Sequence, residues 1–97
     1  MIKRFFITLS YNGKNYCGWQ IQPNAISVQE TLQESLSTLV RKNISIVGAG
    51  RPDSGVHARK MIAHFDMDEK ELNPDDLCMK LNRFLPNDIA IHSIKQV

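Results

Sequence analysis

The sequence predicts an α+β fold in which one antiparallel sheet carries two helices on one of its faces. Three observations point there. Four short stretches, Arg4 to Tyr11, Ile44 to Ala49, Met61 to Phe65 and Ile89 to Ile94, are apolar in the manner of strands. Two longer stretches, beginning at Ser27 and Asn73, repeat apolar residues at helical spacing behind capping residues. Their order, β-α-β-β-α-β, is the ferredoxin-like split βαβ order.

Each element has its own justification. Phe5, Ile7, Leu9 and Tyr11 alternate with Arg4, Phe6, Thr8 and Ser10, so the first strand has one buried face. Tyr11-Asn12-Gly13-Lys14-Asn15 reads as a turn. Tyr16 to Pro23 fits neither helix nor strand; it holds the only tryptophan, Trp19. From Ser27 to Lys42, Ser27 and Glu30 form a capping box, and Val28, Leu32, Leu36, Leu39 and Val40 share one helical face. Asn43 is the expected stop, with Arg41 and Lys42 suited to the negative end of the helix dipole. Ile44 to Ala49 reads as the second strand, and Met61, Ala63 and Phe65 alternate in the third. Asp66 to Glu71 reads as an acidic, solvated connection. The second helix starts with Asn73 as cap and Pro74 at its first position, presents Leu77, Leu81, Phe84 and Leu85, and ends at Pro86-Asn87-Asp88. Ile89 to Ile94 is a fourth strand with imperfect alternation. The expected core joins Phe5, Ile7, Leu9, Leu32, Leu36, Leu39, Ile46, Phe65, Leu77, Leu81 and Phe84.

Composition bounds the rest. Ninety-seven residues with 42% apolar content make one small domain with one core. No apolar run is long enough to span a membrane, and Met1-Ile2-Lys3-Arg4 lacks the apolar region of a signal peptide. Cys17 and Cys78 are isolated, which reads as reduced thiols in a cytoplasmic protein. The net charge of +2 permits nucleic-acid binding without arguing for it.

Between the second and third strands lies Gly50-Arg51-Pro52-Asp53-Ser54-Gly55-Val56-His57-Ala58. Gly50 and Gly55 free the backbone for a tight path. Pro52 fixes its own φ and pushes Arg51 toward an extended conformation. The expected result is a rigid loop displaying Arg51 and Asp53 side by side; the plainer alternative is a polar surface turn. Gly50 to Gly55 has P-loop spacing, but Val56-His57 stands where lysine and a hydroxyl residue are needed, so a P-loop is rejected. His57, His64 and His92 show no zinc spacing with one another or with the cysteines, so no metal site is expected. A satisfied structural histidine is the simpler reading of each, His57 bracing the loop. The third strand lacks the aromatic pattern by which an RNA-recognition motif stacks bases.

The loop also resembles the signature of the TruA family of tRNA pseudouridine synthases, Gly-Arg-Thr-Asp-Ala-Gly-Val-His-Ala. Seven positions agree: Gly50, Arg51, Asp53, Gly55, Val56, His57 and Ala58. Pro52 and Ser54 replace the family's Thr and Ala. A second family segment is similar upstream, at Tyr11, Gly13, Tyr16, Gly18, Trp19, Gln20 and Gln22, followed by Ser27-Val28-Gln29. The resemblance covers most of the chain, but only the N-terminal part of a family member. It implies isomerisation of uridine in the tRNA anticodon stem-loop, around positions 38 to 40. It further implies a homodimer that binds tRNA in basic clefts, and a second α/β half supplying a tyrosine and a basic residue. The chain stops at Val97, immediately after the fourth strand, so it is expected to be an isolated or truncated N-terminal half, inactive alone. No small-molecule cofactor and no membrane are implied.

Within that resemblance Asp53 is the catalytic residue. Pseudouridine formation breaks the N1–C1′ bond, turns the base and joins C5 to C1′. A carboxylate can attack C1′ and hold the sugar covalently, or take a proton from C2′ to give a glycal; both routes stay open. The target nucleotide must leave the stack. Arg51 suits that step, pairing with phosphate or filling the vacated space, unless it makes only a surface ion pair. Tyr11, Trp19, Gln20, Gln22 and His57 join Arg51 as expected substrate-binding residues, with Trp19 as cleft wall or, alternatively, as a core aromatic. Two other classes compete: a non-catalytic ferredoxin-like RNA-binding module and a small-molecule regulatory domain. The first needs an exposed basic or aromatic sheet face, which the sequence does not clearly show; the second, binding ligand at a dimer edge, does not need Asp53.

Overall fold

Period-two alternation in the first eleven residues makes one long strand, β1 (Ile2–Tyr11), which lies in the middle of the sheet. The computed structural model describes residues 1–16, 18, 19, 21, 23, 25–48 and 58–97. The remaining elements are α1 (Val28–Val40), β2 (Val47–Gly48), β3 (Ala58–Asp68), α2 (Pro74–Phe84) and β4 (Ile89–Gln96), with short 3-10 turns at Gly13–Asn15 and Glu69–Glu71. The sheet order is β2-β3-β1-β4 and every neighbouring pair is antiparallel. This is the α+β, ferredoxin-like arrangement expected from the sequence.

Register explains which residues enter the core. Phe5, Ile7 and Leu9 of β1 face Phe65, Ala63 and Met61 of β3, and all six are buried. Phe5 and Phe65 stack with ring centroids 5.5 Å apart. Val28, Leu32 and Leu36 of α1 and Leu77 and Leu81 of α2 join the same cluster. In β4 the buried residues are Ile89, Ile91 and Ile94, an interval of two and then three. The cause is a bulge: Thr8 pairs with Ser93 and Leu9 with Ile91, leaving His92 as the extra residue. The imperfect alternation of the sequence is that bulge.

Helix ends follow local chemistry. Ser27 is fully buried and its hydroxyl accepts the Glu30 N–H at 3.2 Å. Asn73 accepts the Asp76 N–H at 3.1 Å, with Pro74 following it in the first turn. The stop of α1 comes two residues before Asn43: Arg41 takes the left-handed conformation at φ 58°, and its N–H returns to the Ser37 carbonyl.

Three expectations are corrected. The strand expected at Ile44 to Ala49 joins the sheet only at Val47 and Gly48; Ala49 lies outside the described residues. The backbone before Val47 is satisfied by α1 instead, the Ile44 N–H by the Ser37 hydroxyl at 3.0 Å and the Ile46 N–H by Gln33 at 2.9 Å. Asp66 and Asp68, expected in a solvated connection, extend β3, where Asp66 accepts two hydrogen bonds from Arg4, directly across on β1, at 2.9 and 3.2 Å. Phe84, expected in the core, is 52% exposed. The Asn82 amide sets the rotation of α2, donating to the Ile91 carbonyl and accepting from the Ile91 N–H, both at 2.8 Å. That turns a stripe of Leu77, Cys78, Leu81, Asn82 and Leu85 toward β4 and leaves Phe84 at its margin.

Candidate active-site end of the sheet

Residues 49–57, which hold Gly50, Arg51, Asp53, Gly55 and His57, lie outside the described residues, as do Gln20 and Gln22. The structure describes the frame around them. The chain enters this stretch from Gly48 and leaves it into Ala58, which pairs with Tyr11 at the end of β1. On its other side Tyr11 pairs with Ile89 of β4. Both ends of the motif stretch are therefore anchored in one sheet.

Trp19 lies against Gly48, where the chain enters this stretch, and is 2% exposed. A Cβ added at Gly48 would overlap its indole and stand 2.7 Å from Met61 Cε. Gly48 is thus glycine because the indole lies against its backbone. Trp19 is held in turn by α1. The Gly18 carbonyl accepts the Val28 N–H at 3.2 Å and the Trp19 carbonyl accepts the Gln29 N–H at 2.9 Å, satisfying two amides of the first helical turn. Gly18 has φ 82°, a conformation costly for any residue with a Cβ. Of the two readings left open for Trp19, the packing one matches this burial. Tyr11 is also in the core at 4% exposed, and its buried hydroxyl has no hydrogen-bond partner among the described residues.

Tyr16 braces the same end. Its hydroxyl donates to Asp88 Oδ1 at 2.6 Å, and the Asp88 carbonyl accepts the Asn12 N–H at 2.9 Å. Burial, then the hydrogen bond and charge of Asp88, raise the Tyr16 phenol well above its ordinary range; burial alone raises that of Tyr11. The folded state holds these protons more tightly than the unfolded chain, whose phenols titrate near about 10. Stability is therefore fully present below that pH and declines as pH rises through and above it. Urea midpoints measured at pH 8 and at about pH 10.5 should differ. In Tyr16→Phe the difference should shrink, with a lower midpoint already at pH 8.

The face of the sheet away from the helices carries a second feature, missed in the sequence. Phe6, Thr8, Lys60, Ile62, His92, Ser93 and Lys95 line a shallow depression of about 540 Å³. None of these residues is acidic. At one end of the face Arg4 is neutralised by Asp66; its guanidinium holds the Asp66 carboxyl below the usual range. The bulge at His92 places the imidazole against the Ser10 hydroxyl at 2.9 Å. The strand pairing, which no single strand reveals, brings Phe6, Ile62, Lys60 and Lys95 together on this face. Among the described residues no group of histidine, cysteine or acidic side chains could hold a metal ion. Cys78 is a free thiol, its pKa raised by burial and then by Asp75.

A ferredoxin-like sheet whose second and third strands flank a Gly-Arg-x-Asp-x-Gly sequence defines the class: an antiparallel α+β scaffold interrupted by a glycine-bracketed arginine and aspartate. The comparisons make that class particular. Residues 7–97 match the family model described as tRNA pseudouridine synthase, and the chain belongs to that family. It is 50% identical over 96 residues to a protein named tRNA pseudouridine synthase A from Bacteroides fragilis, covering 99% of this chain and 38% of the relative. A protein of the same name from Azobacteroides pseudotrichonymphae is 56% identical over 93 residues, covering 96% and 37%. One from Parabacteroides distasonis is 54% identical over 96 residues, covering 99% and 38%. The chain thus spans under two-fifths of the length of these relatives.

Proposed function

We propose that these 97 residues are the N-terminal half of a tRNA pseudouridine synthase that isomerises uridine in the anticodon stem-loop, at positions 38 to 40. The observation that carries this is the family match across residues 7–97, a span that includes Asp53. Asp53 is the reacting group, as nucleophile at C1′ or base at C2′; C5–C1′ replaces N1–C1′, N1 gains a proton and C5 loses one. Arg51 contacts phosphate and takes the place of the flipped nucleotide, with Gln20, Gln22 and His57 beside it and Gly50 and Gly55 shaping the loop. Tyr11 and Trp19, buried as they are, contribute from beneath by holding the ends of the loop. The basic and apolar open face, with Lys60 and Lys95 beside Phe6 and Ile62, supports passage of RNA across the sheet.

The complete protein is a homodimer acting in the cytoplasm, without a cofactor, and residues 1–97 alone are inactive because half a cleft cannot position the nucleotide. No helix among the described residues is long and apolar enough to cross a membrane. The test is direct. The complete protein, incubated with unmodified tRNA, should convert uridine at positions 38 to 40, while residues 1–97 alone convert none. No pseudouridine from the complete protein overturns the assignment; turnover by residues 1–97 overturns the need for the second half.

A further inference from the structure

Ile21, in the first motif-bearing part of the sequence, and Ile46, in the segment leading to the second, are joined through one side chain of α1. Gln29 Oε1 accepts the Ile21 N–H at 2.9 Å, and Gln29 Nε2 donates to the Ile46 carbonyl at 2.6 Å. Gln33, one turn later, accepts the Ile46 N–H at 2.9 Å. Both backbone groups of Ile46 are therefore held by helix amides where a neighbouring strand would otherwise hold them. Ile46 is two residues before Gly48, against which Trp19 packs, and Trp19 in turn accepts the backbone N–H of Gln29. A single residue thus sets the spacing between the Trp19 segment and the root of the stretch that carries Arg51 and Asp53. An amide is needed because one contact requires an acceptor and the other a donor.

We propose that Gln29 is a positioning residue for the reaction, fixing the root of the Asp53 stretch relative to the Trp19–Ile21 segment. This rests on the reading of Asp53 as the reacting group. Small displacements of a reacting group cost rate steeply, on the order of 10²-fold for about 1 Å. Binding of tRNA is spread over many phosphate contacts and is far less sensitive.

The experiment compares Gln29→Met, Gln29→Glu, Ser37→Ala and Asp53→Asn in the complete enzyme. Ser37 serves as the stability control. Its hydroxyl bonds the Ile44 backbone at 3.0 and 3.3 Å, so its loss also loosens α1 from the chain, but two residues further from Gly48. Both Gln29 variants should lose kcat at saturating tRNA by about 10- to 100-fold, with KM changed less than about threefold. Ser37→Ala should keep kcat within about twofold at a comparable drop in melting temperature. Should Gln29→Met fail to fold, Gln29→Glu decides: it keeps the acceptor for Ile21 and sets a carboxylate oxygen against the Ile46 carbonyl in place of the donor. Wild-type kcat in the folded Gln29 variants, or a loss that Ser37→Ala matches, overturns the proposal. Asp53→Asn separates the two readings: if it is inactive while Gln29→Met is normal, only the positioning role falls, and if it turns over normally, the role of Asp53 falls.

Discussion

Asp53→Asn in the complete enzyme should lower turnover by about 10²- to 10⁴-fold or more while moving the melting temperature by no more than about 3 °C. Asparagine keeps the shape and most of the hydrogen-bonding capacity of aspartate. It is not a nucleophile at C1′ and not an effective base at C2′, so either route stops. Affinity for tRNA should be nearly unchanged, because removing one carboxylate takes away no phosphate contact. The combination of intact folding, intact binding and lost chemistry is the expected signature. Turnover near wild type with matched melting would show that the carboxylate is not the reacting group.

The second large effect is on stability. Trp19→Ala should destabilise the chain by about 3–5 kcal/mol, the range for removing a buried aromatic without collapse of the space it filled. That is a large part of the 5–15 kcal/mol typical of a whole domain. Were Trp19 an exposed wall of a binding cleft, the cost would fall within about 0.5 kcal/mol, as for surface substitutions. Gly48 supplies the cross-check. Gly48→Ala alone should cost about 1–3 kcal/mol by overpacking against the indole. Made together with Trp19→Ala, it should cost less, because the ring has gone and only the flexible end of Met61 must shift. Denaturant unfolding of the four forms closes the cycle. Additive losses would show that the indole does not lie against Gly48.

Local patterns made most of this fold legible. The caps Ser27 and Asn73, the 3.6-residue stripes of α1 and α2, and the alternation in β1 and β3 each depend on a few neighbouring residues. What stayed hidden depends on pairing across the chain. The bulge at His92 is set by register against β1, and no single strand reveals its register. The late start of β2 follows from Gln33 and Ser37 competing for backbone groups that a strand would otherwise use. Phe84 had the right period for the core but sits where the Asn82 anchor turns the helix away. For the site, Asp53 and Arg51 could be proposed because one contiguous sequence motif carries both. The alternation of β1 already placed Tyr11 on the buried face, whereas for Trp19 the sequence left packing and substrate contact open, because an aromatic in a motif has the same letter in either role.

The anchor between Asn82 and Ile91 also bears on how this sheet meets other chains. β4 is an outermost strand, and such strands expose unpaired amides and carbonyls that can template association with a stranger. At Ile91 both groups are already answered by one side-chain amide, with Cys78 Sγ also 3.6 Å from the carbonyl. The neighbouring bulge twists the strand away from the flat geometry an incoming strand requires. An intruding strand would have to evict the amide and gain only equivalent bonds in return. The middle of β4 is thereby guarded against edge-to-edge aggregation by a residue that the helix supplies.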